Sequence, residues 1–221
     1  MAKLSDLIPA LAQVLAMPEQ TVAVIARALR KERLISTGGR GPGAAKMTAE
    51  DCARLLIAIM AADQVKNSVA AVQNFWALEL EEIDTKLGLP KALQEDWAEL
   101  PEVILDILMP DGAEEQNFGE TVTALIEAAR DGILTQAMAD MDDVHFRLEI
   151  ERRFFTGHIF IQHDNAGKGY PQTALHAQYY LPEGPERKRI EAQSFSSGGD
   201  AMITFAVTGR TIGVLGALIQ D

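Results

Sequence analysis

Apolar residues recur at helical spacing through the first part of the chain. Leu4, Leu7, Ile8, Leu11, Val14 and Leu15 form one stripe, and Val22, Ile25, Ala26 and Leu29 form a second. Each predicts an amphipathic helix with one buried face. Ser5 is a candidate cap for the first helix, and Pro9 sits near its start, where a missing N–H is tolerated. Met17-Pro18-Glu19 marks a turn, with Pro18 placed to open the second helix. Opposite the second stripe lie Gln20, Ala23, Arg27, Arg30 and Lys31. A glycine-rich loop, residues 36–46, follows and contains Arg40 and Lys46. Thr48-Ala49-Glu50-Asp51 then reads as a capping box with Asp in the usual Glu or Gln position. The helix it opens carries Cys52, Leu55, Leu56 and Ile59 on one face.

Val65, Val69, Val72, Trp76, Leu80, Ile83 and Leu87 are spaced 4, 3, 4, 4, 3 and 4. This is close to a heptad stripe, predicting a helix that ends at Gly88 and Pro90. It packs either on the chain's own core or against another subunit. Val103 to Leu108 is a short apolar segment, and Asn117-Phe118-Gly119-Glu120 is a second capping box, before Val122, Leu125, Ile126 and Ala129. The period then drops to two. Val144 to Glu151 alternates without a break and predicts a strand with one buried face. Gly157 to His163 reads as its hairpin partner. Leu175, Ala177, Tyr179 and Leu181 alternate in a third strand, and Ile190–Phe195 and Met202–Val207 suggest a fourth and a fifth. Thr211 to Gln220 reads as a closing helix, with a last strand as the alternative. The expectation is an α+β protein in three parts: a helical unit over 1–62, an acidic helical region over 63–142, and an antiparallel β-sheet over 143–221.

Composition narrows the class. The chain has 221 residues, 48% of them apolar and 6% aromatic, which suits a folded globular protein rather than a disordered one. No run of about 18 apolar residues predicts a membrane span. With no signal-peptide pattern and a single cysteine, Cys52, a cytoplasmic location is expected. The net charge of −12 argues against a nucleic-acid partner until its distribution is considered. Residues 1–47 hold seven Lys/Arg against three Asp/Glu, residues 48–143 hold five against twenty-one, and residues 144–221 hold eight of each. A basic head on an acidic body marks a local surface for a polyanion.

A helix, a short turn and a second helix with a basic exposed face match helix-turn-helix geometry, in which the second helix enters the major groove. The stretch from Ala28 to Ile35, running into Gly38-Gly39-Arg40-Gly41, resembles the end of the recognition helix and the wing of winged helix-turn-helix regulators. That resemblance covers about 45 residues. It implies base contacts from Gln20, Arg27, Arg30 and Lys31, and minor-groove or phosphate contacts from Arg40 and Lys46. The loop lacks alternating apolar positions, so a two-stranded wing and an extended basic arm are both open. The combination is also similar to proteins of phage and prophage origin.

Other chemistries find less support. Gly41 to Thr48 reads G-P-G-A-A-K-M-T, without the glycine before Lys46 or the hydroxyl after it that a nucleotide-binding P-loop needs. His145, His158, His163 and His176 lie near Glu149, Glu151 and Asp164, yet no H-x-x-x-H or H-E-x-x-H spacing occurs. Cys52 has no base beside it in sequence and reads as packing. No Gly-x-Ser-x-Gly elbow or other catalytic signature is present, so neither an enzyme, a cofactor nor a metal is expected. The expected function is a DNA-binding transcriptional regulator of phage or mobile-element type, a homo-oligomer with double-stranded DNA as its partner. A small terminase-like packaging component and a protein-interaction module remain as alternatives.

Overall fold

The computed structural model describes residues 2–39, 43–85, 105–108, 110, 116–139, 144–163, 172–196 and 204–220. Two helices, α1 (Leu4–Val14) and α2 (Glu19–Lys31), are followed by α3 (Ala49–Ala61) and, after a 3₁₀ turn at Val65–Asn67, by α4 (Ser68–Trp76). Strand β1 (Glu79–Thr85) comes next, then α5 (Phe118–Arg130) and α6 (Ile133–Ala139). The meander β2 (Val144–Glu151), β3 (Thr156–His163) and β4 (Gln172–Tyr180) leads to α7 (Pro185–Ser196), β5 (Thr204–Thr208) and α8 (Gly209–Leu218). All neighbouring strands are antiparallel, in the order β1-β4-β3-β2-β5. The architecture is α+β, with its helices mainly N-terminal and its sheet mainly C-terminal.

Alternation decides which sheet face is covered. Phe146, Leu148 and Ile150 of β2, Ile159 and Ile161 of β3, and Leu175, Ala177 and Tyr179 of β4 are buried in the helical layer. The intervening residues, among them Arg147, Glu149, His158, Phe160, His176 and Gln178, form the other face. Tyr179 reaches into the helices, where its hydroxyl donates to Thr121 Oγ1 at 3.0 Å and its ring meets Phe118 edge-on at 5.2 Å. Trp76 lies so close over Gly119 that a Cβ there would sit 2.0 Å from its ring, so only glycine fits at the start of α5.

Helix α3 is buried at eleven of its thirteen positions, leaving only Glu50 and Arg54 in reach of water. It packs on α4, α5, α8, β2 and β5. The capping box foreseen at its start is formed, and Asp51 does more than cap. Its carboxylate accepts from Thr48 N–H at 3.0 Å and from Ser36 N–H at 2.7 Å, tying the loop after α2 to the helix. At the other end the Arg152 guanidinium, from the β2–β3 turn, donates through Nε and Nη2 to the Met60 carbonyl at 2.8 and 2.6 Å. This satisfies one of the carbonyls that a helix end leaves unpaired. Buried side chains from Leu7 to Ile219 belong to one continuous cluster.

Three expectations need correction. The stripe from Val65 to Leu87 is not one helix: α4 stops at Trp76, and Leu80 and Ile83 lie on β1 (Leu87, Gly88 and Pro90 are outside the described residues). A register shift between Leu80 and Glu82 is the reason, since the extra residue of a bulge lets Leu80 and Ile83 turn to the same face. Strand residues three apart then mimic helical spacing. Val72 is buried in the chain's own core, and Val65, Val69, Trp76, Leu80 and Ile83 pack against it. Ile190–Phe195 lies in α7 rather than a strand, because Pro185 opens a helix in which Glu186 pairs with Arg189 at helical spacing, while Arg187 reaches back to Glu183 just before it. Ser5 does not cap α1: Lys3 is the N-cap, and its N–H donates to the Asp6 carboxylate at 2.8 Å.

The double role of Asp51 gives a stability prediction. Asp51→Ala leaves the Ser36 and Thr48 N–H groups without their carboxylate and is expected to lower unfolding free energy by about 2–3 kcal/mol in urea titration. A loss under about 0.5 kcal/mol, the range of ordinary surface substitutions, would show that the carboxylate does not anchor α3.

Candidate nucleic-acid interface

The turn between α1 and α2 is built by local backbone chemistry. Ala16 adopts φ 52, Met17 N–H donates to the Ala12 carbonyl at 2.9 Å, and Ala16 N–H donates to the Gln13 carbonyl at 3.3 Å. This is the Schellman pattern of a helix end, with alanine where glycine is usual. Four residues, 15–18, thus join the two helices, the length of a helix-turn-helix connection. Val22, Ile25, Ala26 and Leu29 bury the inner side of α2 against α1, α3 and α4. Because 3.6 residues make a turn, Gln20, Arg27, Arg30 and Lys31 are carried to the outer side, and all four are exposed.

Helix α2 ends in a second Schellman pattern. Arg33 takes φ 59, Leu34 N–H donates to the Leu29 carbonyl at 2.9 Å, and Arg33 N–H donates to the Arg30 carbonyl at 3.1 Å. A left-handed conformation costs a residue with a Cβ about 1–2 kcal/mol. Arg33, exposed, thus follows directly on the C-terminal end of α2. It was not foreseen from sequence, although arginine at a position that favours glycine is the signal that could have found it.

Residues 43–46, the end of the glycine-rich loop, return to the start of α1. Lys46 bridges Lys3 in antiparallel fashion, and Met47 N–H donates to the Ala2 carbonyl at 2.9 Å. Gly38 runs so close to the returning chain that a Cβ would lie 2.4 Å from Ala45 N. A cavity of about 230 Å³ opens between the two, lined by Lys3, Ser5, Arg30, Ser36, Gly38 and Ala45. Lys46 is exposed, whereas Arg40 lies outside the described residues. Lys66, on the 3₁₀ turn that packs against α2, adds another exposed cation. The contributions of Lys3 and Lys66 depend on contacts distant in sequence, and spacing could not reveal them. Nearby acids are mostly engaged: Glu50 pairs with Arg54, and Asp6 accepts the Lys3 N–H. Lys31 reaches Glu32 only at 4.0 Å, with both side chains well exposed. Among the described residues Arg27, Arg30, Arg33 and Lys46 form no ion pair.

The histidines are partly brought together elsewhere. His158 Nδ1 and His176 Nε2 lie 3.1 Å apart on the sheet face turned away from the helical layer, and Thr156 Oγ1 is 2.9 Å from His158 Nε2. Phe160 stacks on His176 at 4.2 Å. His145 is exposed on β2, and nothing is described of the His163 side chain. Among the described residues no three His, Cys, Asp or Glu side chains are grouped to hold a metal ion. Cys52 is fully buried, and burial, with Asp51 second, pushes its thiol up to about 12. No helix among the described residues is long and apolar enough to cross a membrane. The fold thus defines an α+β protein with a cationic helical face at its N-terminal end. No protein family matches the chain, and neither a curated protein nor a solved structure does.

Burial, and then His176, push the His158 imidazole down to about 4, against the opposing pull of Glu149. Burial also lowers His176, opposed by Glu82, Asp84 and Glu149. An unfolded histidine titrates near 6.5, so as pH falls the unfolded chain takes up protons before the folded one does. The stabilisation is complete above about 6.5 and is lost as pH drops towards about 4. Urea midpoints of the wild type should therefore fall across this window more steeply than those of His158→Gln. Parallel profiles would show that the pair does not govern this pH dependence.

Proposed function

We propose that the chain is a double-stranded DNA-binding protein acting in the cytoplasm, a transcriptional regulator of phage or mobile-element type, with α2 as its recognition helix. The observation that carries this reading is the exposed α2 face of Gln20, Arg27, Arg30 and Lys31, whose two arginines have no ion-pair partner among the described residues. Arginine binds the guanine edge bidentately, glutamine suits adenine, and lysine neutralises phosphate. The loop supports the same surface, because its fold sets Lys46 beside Lys3, and Lys3 lines one cavity with Arg30. The acidic stretch over residues 48–143, five Lys/Arg against twenty-one Asp/Glu, helps such a head by repelling DNA from that part of the molecule and so favours its approach to the basic face. A homodimer would present two such helices to half-sites one helical turn apart.

Binding of a duplex library followed by fluorescence anisotropy at several salt concentrations tests the reading. Arg27→Ala with Lys31→Ala should weaken binding by at least about tenfold. It should also flatten the slope of log affinity against log salt by roughly 0.9 for each phosphate contact removed. Gly38→Val, which forces the loop away from Ala45, should weaken binding without removing a charge. Unchanged affinity and slope in the folded double variant would overturn the assignment of α2. Light scattering should give the mass of a dimer; a ring of many subunits would assign the same basic head to a packaging component.

A further inference from the structure

A second concave site lies where the C-terminal end of α3 meets the sheet. The chain leaves α3 at Ala61, passes Asp63 and enters α4, while the β2–β3 turn, residues 152–155, abuts this corner. Between them is a cleft of about 310 Å³, at the small end of the range for ligand sites. One wall is apolar: Phe155 stacks on the buried Phe75 with centroids 5.3 Å apart, and Ala70 and Ala71 extend it. Phe155 holds φ 54, a left-handed conformation that is rare for an aromatic residue and that tends to cluster at binding sites. Glu151 secures this turn by accepting N–H bonds from Arg153 at 2.9 Å and Phe154 at 2.7 Å.

The rim carries one charge of each sign. Arg152 uses Nε and Nη2 on the Met60 carbonyl, and its Nη1 has no partner among the described residues. Asp63 Oδ1 accepts from the Asn67 amide and the Gln64 N–H, each at 2.7 Å, and the carboxylate forms no salt bridge among the described residues. The two charges attract one another across the cleft but form no salt bridge. A dicarboxylate would face Asp63 and a diamine would face Arg152, so a ligand of a single sign is repelled by one side. We propose that this cleft binds a free α-amino acid with an apolar side chain, its carboxylate on Arg152, its ammonium on Asp63, and its side chain against Phe155, Ala70 and Ala71. The site stands independently of DNA binding.

Calorimetric titration of the full chain with L-phenylalanine tests it and is expected to give saturable binding below about 1 mM. N-acetyl-L-phenylalanine loses the ammonium and L-phenylalaninamide the carboxylate, so each should bind at least about tenfold more weakly. L-serine, without the apolar side chain, should be weaker by a similar factor. Asp63→Asn, at an exposed position where Oδ1 can keep its two bonds, should weaken L-phenylalanine at least about tenfold and remove its advantage over the acetylated compound. Ala70→Trp, on the exposed side of α4, should fill the cleft and abolish binding with circular dichroism unchanged. The proposal is overturned by no heat up to about 10 mM ligand, by equal affinities for the three phenylalanine compounds, or by full binding to a folded Asp63→Asn.

Discussion

Two hydrogen-bonded anchors at opposite ends of one buried helix hold the molecule together. At the start of α3, Asp51 ties the Ser36 and Thr48 backbone to the helix; at its end, Arg152 from the sheet takes up the Met60 carbonyl. Between these anchors Leu55, Leu56, Ile57, Ile59 and Met60 are buried on different sides of the helix. Each large apolar side chain removed from water contributes about 1.5–3 kcal/mol. The N-terminal helices and the sheet are therefore clamped to the same element rather than merely adjacent to each other.

That clamp bears on the basic face. The loop whose fold places Lys46 beside Lys3 begins at Ser36, the residue held by Asp51. Arg54, one turn further along α3, donates to the Leu34 carbonyl at 2.7 Å and lies 4.8 Å from the centre of the Trp76 ring. The geometry of the chain leaving α2 is thus set by α3, and α3 is set by the sheet through Arg152. A surface that meets a regular, rigid partner gains from this arrangement, because groups held in place lose less conformational freedom on binding. The cleft beside Phe155 adjoins the other end of the same helix.

Much of the fold was legible in the sequence wherever structure follows from neighbours. The capping boxes at Thr48 and Asn117 form as foreseen, with Asp51 N–H donating to Thr48 Oγ1 at 3.1 Å and Glu120 N–H to Asn117 Oδ1 at 2.9 Å. The outer face of α2 was also legible, because side-chain direction on a helix depends only on spacing. The spacing misled at β1, where a bulge turned residues three apart to one side, and at α7, where Ile190 is buried while Pro185, Glu186, Lys188, Arg189 and Ala192 are exposed.

What the sequence determined by itself is therefore local: the two amphipathic helices of the head, the capped start of α3, the alternating meander β2-β3-β4, and the concentration of positive charge before residue 48. Only the tertiary structure decided that β1 joins β4 at the sheet edge, that Lys3 meets Lys46, that His158 meets His176, and that Arg152 meets Met60. Periodicity, caps and charge act over a few residues and leave a pattern in the chain. The latter pairs arise when distant segments close around a common core, and the groups that meet there leave no mark on the spacing of either partner.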